Sequence, residues 1–167
     1  MEFQDIVKQT ENTSEFNAWR ATHPEDFLAH IFVMLDEANK GIYQIGYFSQ
    51  KNDRVSTFIV GKGQVQVAPD QEVAHVPGTT IAPLDITQVK ASTEDITEAA
   101  TNVLKEHYEK APILKSFFII QHLGGHQVYN FTYLTQDFQT INIRLDMDLK
   151  LLSNDVNKLA DFATQEE

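Results

Sequence analysis

Apolar and polar residues alternate with a period of two in several short runs, the signature of strands with one buried face. Tyr129, Phe131 and Tyr133 share one face of such a run, with Val128, Asn130, Thr132 and Leu134 on the other. Ile141, Ile143 and Leu145 alternate with Asn142 and Arg144 in the next. Residues 113–122 and 127–135 form strands around a Gly124-Gly125 turn, and 139–145 follows. In the first half, residues 27–35, 42–48, 54–60 and 64–68 read as strands. Helical spacing governs the intervening segments. Ser92 caps a helix whose third residue is Asp95, and Ile96, Ala99, Ala100, Val103, Leu104, His107 and Tyr108 give it one apolar face that Pro112 ends. Phe3, Ile6 and Val7 are out of phase with Phe16 and Trp19, which breaks the N-terminal helical segment near Asn12. Ser153–Phe162 reads as a closing helix with Val156 and Leu159 inward.

The pattern repeats. Tyr43-Gln-Ile-Gly-Tyr47-Phe48 parallels Tyr129-Asn-Phe-Thr-Tyr133-Leu134, an offset of 86 that also places Phe32 on Phe118. After a deletion of three residues it places Phe58 on Ile141 and Val60 on Ile143. The expected fold is therefore α+β, with two tandem units of helix plus antiparallel meander, residues 1–84 and 85–167, sharing one packed interface. The Pro-bearing stretch from Pro69 to Pro83 joins them. Edge-to-edge and face-to-face arrangements of the two sheets both remain open.

From Val128 to Leu152 the chain resembles the end of PepSY-like domains, in which alternating strands lead to a Val-Asp-Ala-x-Thr-Gly-x-Val-Leu turn and strand. Leu145-Asp146 and Lys150-Leu151-Leu152 match the flanks, with Asp148-Leu149 in place of Thr-Gly. The resemblance implies a cystatin-like helix laid on a sheet and a non-catalytic role in binding or restraining peptidases. Such domains are mostly extracytoplasmic.

Composition narrows the partners. The net charge is −11, with 6 Lys/Arg against 11 Asp/Glu in residues 1–84 and 7 against 13 in the remainder. An even negative field repels phosphate backbones and anionic lipid, so neither nucleic acid nor membrane is expected. The chain has no Cys, which removes disulfide, thiolate and Cys-zinc chemistry and fits the cytoplasm. Glu2 and Asp5 stand where a signal peptide would carry basic residues. Catalytic signatures are missing: there is no Gly-x-Ser-x-Gly, no phosphate loop and no His-Glu-x-x-His. No catalytic residue and no cofactor are expected.

The candidate chemistry is sparse. His122 and His126 are the metal candidates, but a turn separates them and a third ligand is missing, which favours solvent-facing histidines. Asp146-Met-Asp148 reads as a solvated turn. Tyr43, Tyr47, Tyr129 and Tyr133 fall on equivalent faces of equivalent strands. With His107 or His30 they would line a small-ligand pocket if the gap between helix and sheet were open. Core packing is the simpler role for the rings. The expected function is a non-enzymatic binding or interaction module that engages a protein or a second copy as a homodimer. The alternative is a small-ligand-binding protein or enzyme with a pocket beneath a helix.

Overall fold

The computed structural model describes residues 1–68, 71–72, 80–108 and 112–158. Two consecutive helices, α1 (Glu2–Glu11) and α2 (Ser14–Thr22), precede the first strands. The break between them falls where the apolar phases part, and Thr13 caps α2 by accepting a hydrogen bond from the Phe16 amide at 3.2 Å. The strands β1 (Phe27–Met34), β2 (Tyr43–Ser49), β3 (Arg54–Gly61) and β4 (Gln64–Val67) follow, with the two-residue β5 (Gln71–Glu72) inside the expected linker. Helix α3 (Thr93–His107) begins with the expected capping box of Ser92 and Asp95, and ends at His107, before Pro112. The chain then forms β6 (Ile113–Leu123), β7 (His126–Thr135), β8 (Gln139–Leu145) and β9 (Leu151–Lys158).

All pairings are antiparallel and belong to one sheet in the order β4-β3-β2-β1-β6-β7-β8-β9, with β5 added to β3. The two sets of strands meet edge to edge through β1 and β6, where Ile31 faces Ile120 and Val33 faces Phe118. The three helices cover one face. Phe3 and Val7 of α1, Phe16 and Trp19 of α2, and Ile96 and Ala100 of α3 share a core with Ile31, Ile45, Phe58, Phe118, Phe131 and Ile143. Each large apolar side chain fully buried there contributes about 1.5–3 kcal/mol.

Two expectations are corrected. Residues 151–158 are strand β9, not the start of a helix: Val156 pairs with Ile141 and is 41% exposed at the sheet edge. Spacing alone had joined Val156 to Leu159, which lies outside the described residues along with the rest of that segment. The ungapped match of Phe32 with Phe118 also fails, because Phe118 is in the core and Phe32 is on the opposite face. Strand register instead matches Ile31 with Phe118 and Phe32 with Ile119. Likewise Tyr43 faces Val60 as Tyr129 faces Leu145, so Phe58 matches Ile143.

Candidate functional site

None of the described helices lies on the second face of the sheet. At its centre Phe32 faces Ile119 and Met34 faces Phe117 across the β1–β6 seam. The Phe32 and Phe117 rings are 5.3 Å apart, and Phe27 meets Phe48 edge to face at 5.7 Å. Phe27, Phe32, Met34, Phe117 and Ile119 are all partly buried, and none belongs to the helix-side core. They form an apolar strip. Gln44, Asn130, Thr132 and Asn142, read from the sequence as outward-facing, do lie on this face.

A polar ladder borders the strip over β7–β9. Thr132 donates to Asn142 Oδ1 at 2.9 Å, Asn142 donates to Asp155 at 3.1 Å, and Arg144 approaches Asp155 at 3.9 Å. Asn130 Oδ1 and Arg144 Nε, on directly paired residues, are buried without hydrogen-bond partners. On the β1–β2 side the face is different. A Cβ at Gly46 would stand 2.2 Å from His30 Cε1, so the imidazole lies on the bare backbone of β2. Burial holds the His30 pKa below the usual histidine value.

The tyrosines belong to the other face. Tyr47 and Tyr129 are fully buried and Tyr133 is 5% exposed. Tyr47 donates to Glu11 at 3.2 Å and packs among Phe16, Trp19 and Phe58, and Arg20 lays its guanidinium over Phe16, Trp19 and Tyr47 itself. Tyr43 donates to Glu2 at 2.7 Å. The same carboxylate accepts from the Thr93 amide at 2.9 Å and the Thr93 hydroxyl at 2.5 Å, so it fills the N-terminus of α3 and clasps three elements. Burial, reinforced by the neighbouring carboxylates, pushes both phenols above the usual tyrosine range. Burial also raises Tyr133, whose hydroxyl lies 3.3 Å from that of Thr101. It raises Tyr129 too, whose hydroxyl has no partner in hydrogen-bond geometry although the Ala91 backbone lies close enough to temper the rise. The four tyrosines therefore serve packing, and three of them line none of the three clefts described next.

Those clefts open at the rim. One of about 650 Å³ lies where α1 and α3 begin beside the β1–β2 loop. Met34, Ile42 and Tyr43 line it with Glu2, Asp36, Glu37 and Glu94 against the single Lys40. A polar cleft of about 660 Å³ lies between α2 and the β2–β3 turn, around His23, Asp26 and Ser49. Burial raises the Asp26 pKa, with His23, Arg20 and Ser49 opposing. A third, of about 540 Å³, lies beside the Gly61-Lys62-Gly63 turn.

The remaining candidates are dispersed. His122 pairs with Gln127 and His126 with Leu123, so the hairpin puts the two imidazoles on opposite faces and cannot bring them to one ion. Among the described residues no group of three or more His, Asp or Glu is placed to hold a metal. Exposed His107 ends α3 with its ring 6.2 Å from Tyr108, away from the strand tyrosines. Asp146 uses its carboxylate to accept from the amides of Asp148 and Lys150 at 2.8 and 2.9 Å, a turn that carries Leu149 at φ 66°. The sequence reading missed Gly46, Phe117 and Ile119. A signal existed in the unbroken run Phe117-Phe-Ile-Ile120, since four consecutive apolar residues make both faces of a strand apolar.

No family model matches the chain, and no curated protein matches its sequence. The fold is similar to the crystal structure of a candidate lipoprotein from Clostridium difficile 630, with a TM-score of 0.53 and 13% identity over 86% of this chain and 90% of that one. At that identity the likeness extends to the fold alone. No described helix is long and apolar enough to cross a membrane.

Proposed function

We propose that this protein is a non-enzymatic binding module that docks a protein segment on the sheet face opposite the described helices. One observation carries the reading: a strip of five apolar side chains on a face that bears none of the described helices, against tyrosines packed into the helix-covered face. An apolar surface bordered by hydrogen-bonding groups is a common form of protein interface. The occupant is a partner segment that pairs apolar side chains with basic ones. Met34 belongs both to the strip and to the acidic cleft of Glu2, Asp36, Glu37 and Glu94, so the apolar contact leads directly to a site for a basic group. The net charge of −11 favours such a partner over a second copy, which would bring the same charge.

We also read residues 1–84 and 85–167 as tandem units of PepSY-like kind joined edge to edge. The matched tyrosines of β2 and β7 support the repeat, and the positive φ of Leu149, where the motif has Gly, supports the resemblance. The absence of Cys fits the cytoplasm as the compartment.

Selection from a displayed library of random peptides tests the proposal. Enriched peptides should combine Leu, Ile or Phe with Lys or Arg, lose affinity as salt rises, and fail to bind the folded Phe117→Ser variant. A random pool without enrichment, or binding unchanged by Phe117→Ser and by substitutions at Asn130 and Thr132, would overturn it. So would a concentration-dependent dimer that buries this face.

A further inference from the structure

Strand register sets His30 opposite Gly46 in β1–β2 at the place where Phe117 stands opposite Thr132 in β6–β7. An ionisable ring thus replaces a hydrocarbon one in the docking face. The small residue opposite it is what lets the ring lie flat: a Cβ at position 46 would meet Cε1, Nε2 and Nδ1 of His30 at 2.2, 2.5 and 2.7 Å.

Among the described residues, the groups that strand register brings around the ring do not titrate. Register brings Gln44, Gly46 and Phe48 from β2, Phe32 from β1 itself, and Ile119 and Gln121 from β6, with Thr57 of β3 beyond Gly46. Among the described strand residues, the charged or titratable side chains of this face besides His30 are Lys115, His126, Arg144 and Asp155, which belong to β6, β7, β8 and β9, from the β1–β6 seam outward. Among the described residues the His30 ring has no hydrogen-bond or ion-pair partner. A proton added there would meet no counter-ion, and desolvation opposes the charge without relief.

We infer that His30 makes docking on this face pH-dependent, admitting an apolar partner while the imidazole is neutral and releasing it once the ring is protonated. The inference rests on the docking reading above. A bound segment strips the remaining water from the ring, and its basic groups add like-charge repulsion, so protonation is harder in the complex than in the free protein. By linkage, affinity is constant well above the free-state pKa of His30. It then falls by up to about tenfold per pH unit as acid carries the solution through that value.

The test uses a selected peptide that lacks His, Asp and Glu, titrated between about pH 8 and pH 5 against wild type, His30→Gln and Phe117→Ser. Wild-type affinity should fall toward the acid end of that range, beginning as the pH approaches the free-state midpoint of His30. The His30→Gln profile should be flat at whatever affinity it shows, and Phe117→Ser should not bind at any pH. A His30→Gln profile parallel to wild type overturns the role of His30 and leaves the docking reading standing. Phe117→Ser binding as wild type does overturns the docking reading instead. The His30 Hε1 resonance of the free protein gives a check that needs no peptide. Its midpoint should lie below the ordinary histidine value, and a midpoint at or above that value overturns the inference.

Discussion

The β1–β2 and β6–β7 hairpins meet the helices with the same residue types and meet solvent with different ones. On the covered face Tyr43 and Tyr47 match Tyr129 and Tyr133, and Ile45 matches Phe131. Among the tyrosines only the hydroxyl ends differ. Glu2 and Glu11 of α1 receive the first pair, whereas Tyr133 meets Thr101 and Tyr129 meets no partner. On the uncovered face the pair His30 and Gly46 stands against Phe117 and Thr132, and the ladder of Asn142, Arg144 and Asp155 is found only on the β6–β9 side. Packing thus sets the covered face in both hairpins, while the other face differs in a way that packing alone does not demand.

The sharpest way to break this comparison is to give β2 a branched side chain at the place where β7 carries the branched Thr132. Gly46→Val drives a branched side chain into the His30 ring, and should destabilise by about 1–3 kcal/mol in denaturant titration. Adding His30→Ala should recover most of that loss, because the clash is with the imidazole rather than with backbone. Thr132→Val in β7 loses only the bond to Asn142 and should cost about 1 kcal/mol. If Gly46→Val is neutral, the ring does not lie on β2.

The tyrosine ends come next. Tyr47→Phe removes the bond to Glu11 and should lower stability by about 1 kcal/mol, whereas Tyr129→Phe should be neutral or stabilising because its hydroxyl is buried unpaired. Equal losses would mean that Tyr129 has a hydrogen-bond partner after all. A smaller effect separates the hairpins by pH. The His30 pKa is lowered on folding, so the unfolded chain binds more protons in acid. The stability this group contributes is full above the unfolded value and is lost as pH falls through the folded one. Wild type should therefore lose more stability than His30→Phe when both are acidified below about pH 6.5. The smallest effect is expected at the Gly124-Gly125 turn. His122→Ala and His126→Ala should each change stability by less than about 0.5 kcal/mol, and zinc should not raise the melting temperature of the wild type.

Much of this fold is legible in the sequence because alternation reports burial directly. Phe131, Ile141 and Ile143 are all in the core, and the Ser92–Asp95 capping box marks the start of α3. The failures share a physical origin in non-local pairing. Leu151–Lys158 is a strand because β8 offers it hydrogen bonds, which no period within the segment encodes. Alternation with the buried Ile31 and Val33 sets His30 on the face of Phe32, while a bulge between Leu28 and His30 brings Leu28 to the helix side. A ligand role for His30 beside the tyrosines goes with the match of Phe32 to the core residue Phe118, which strand register does not support. The docking face was hidden for a related reason. Phe32, matched from the sequence with the core residue Phe118, reads as a core residue until the described helices are seen on the other side of the sheet.

The central claim is that recognition belongs to the uncovered face, and chemical-shift mapping with a selected peptide tests it most directly. The perturbed amides and methyls should centre on Phe32, Met34, Phe117, Ile119 and Thr132, with Tyr129 and Tyr133 unmoved. Perturbation centred on Tyr129, Tyr133 and the facing side of α3, with the strip silent, would contradict it.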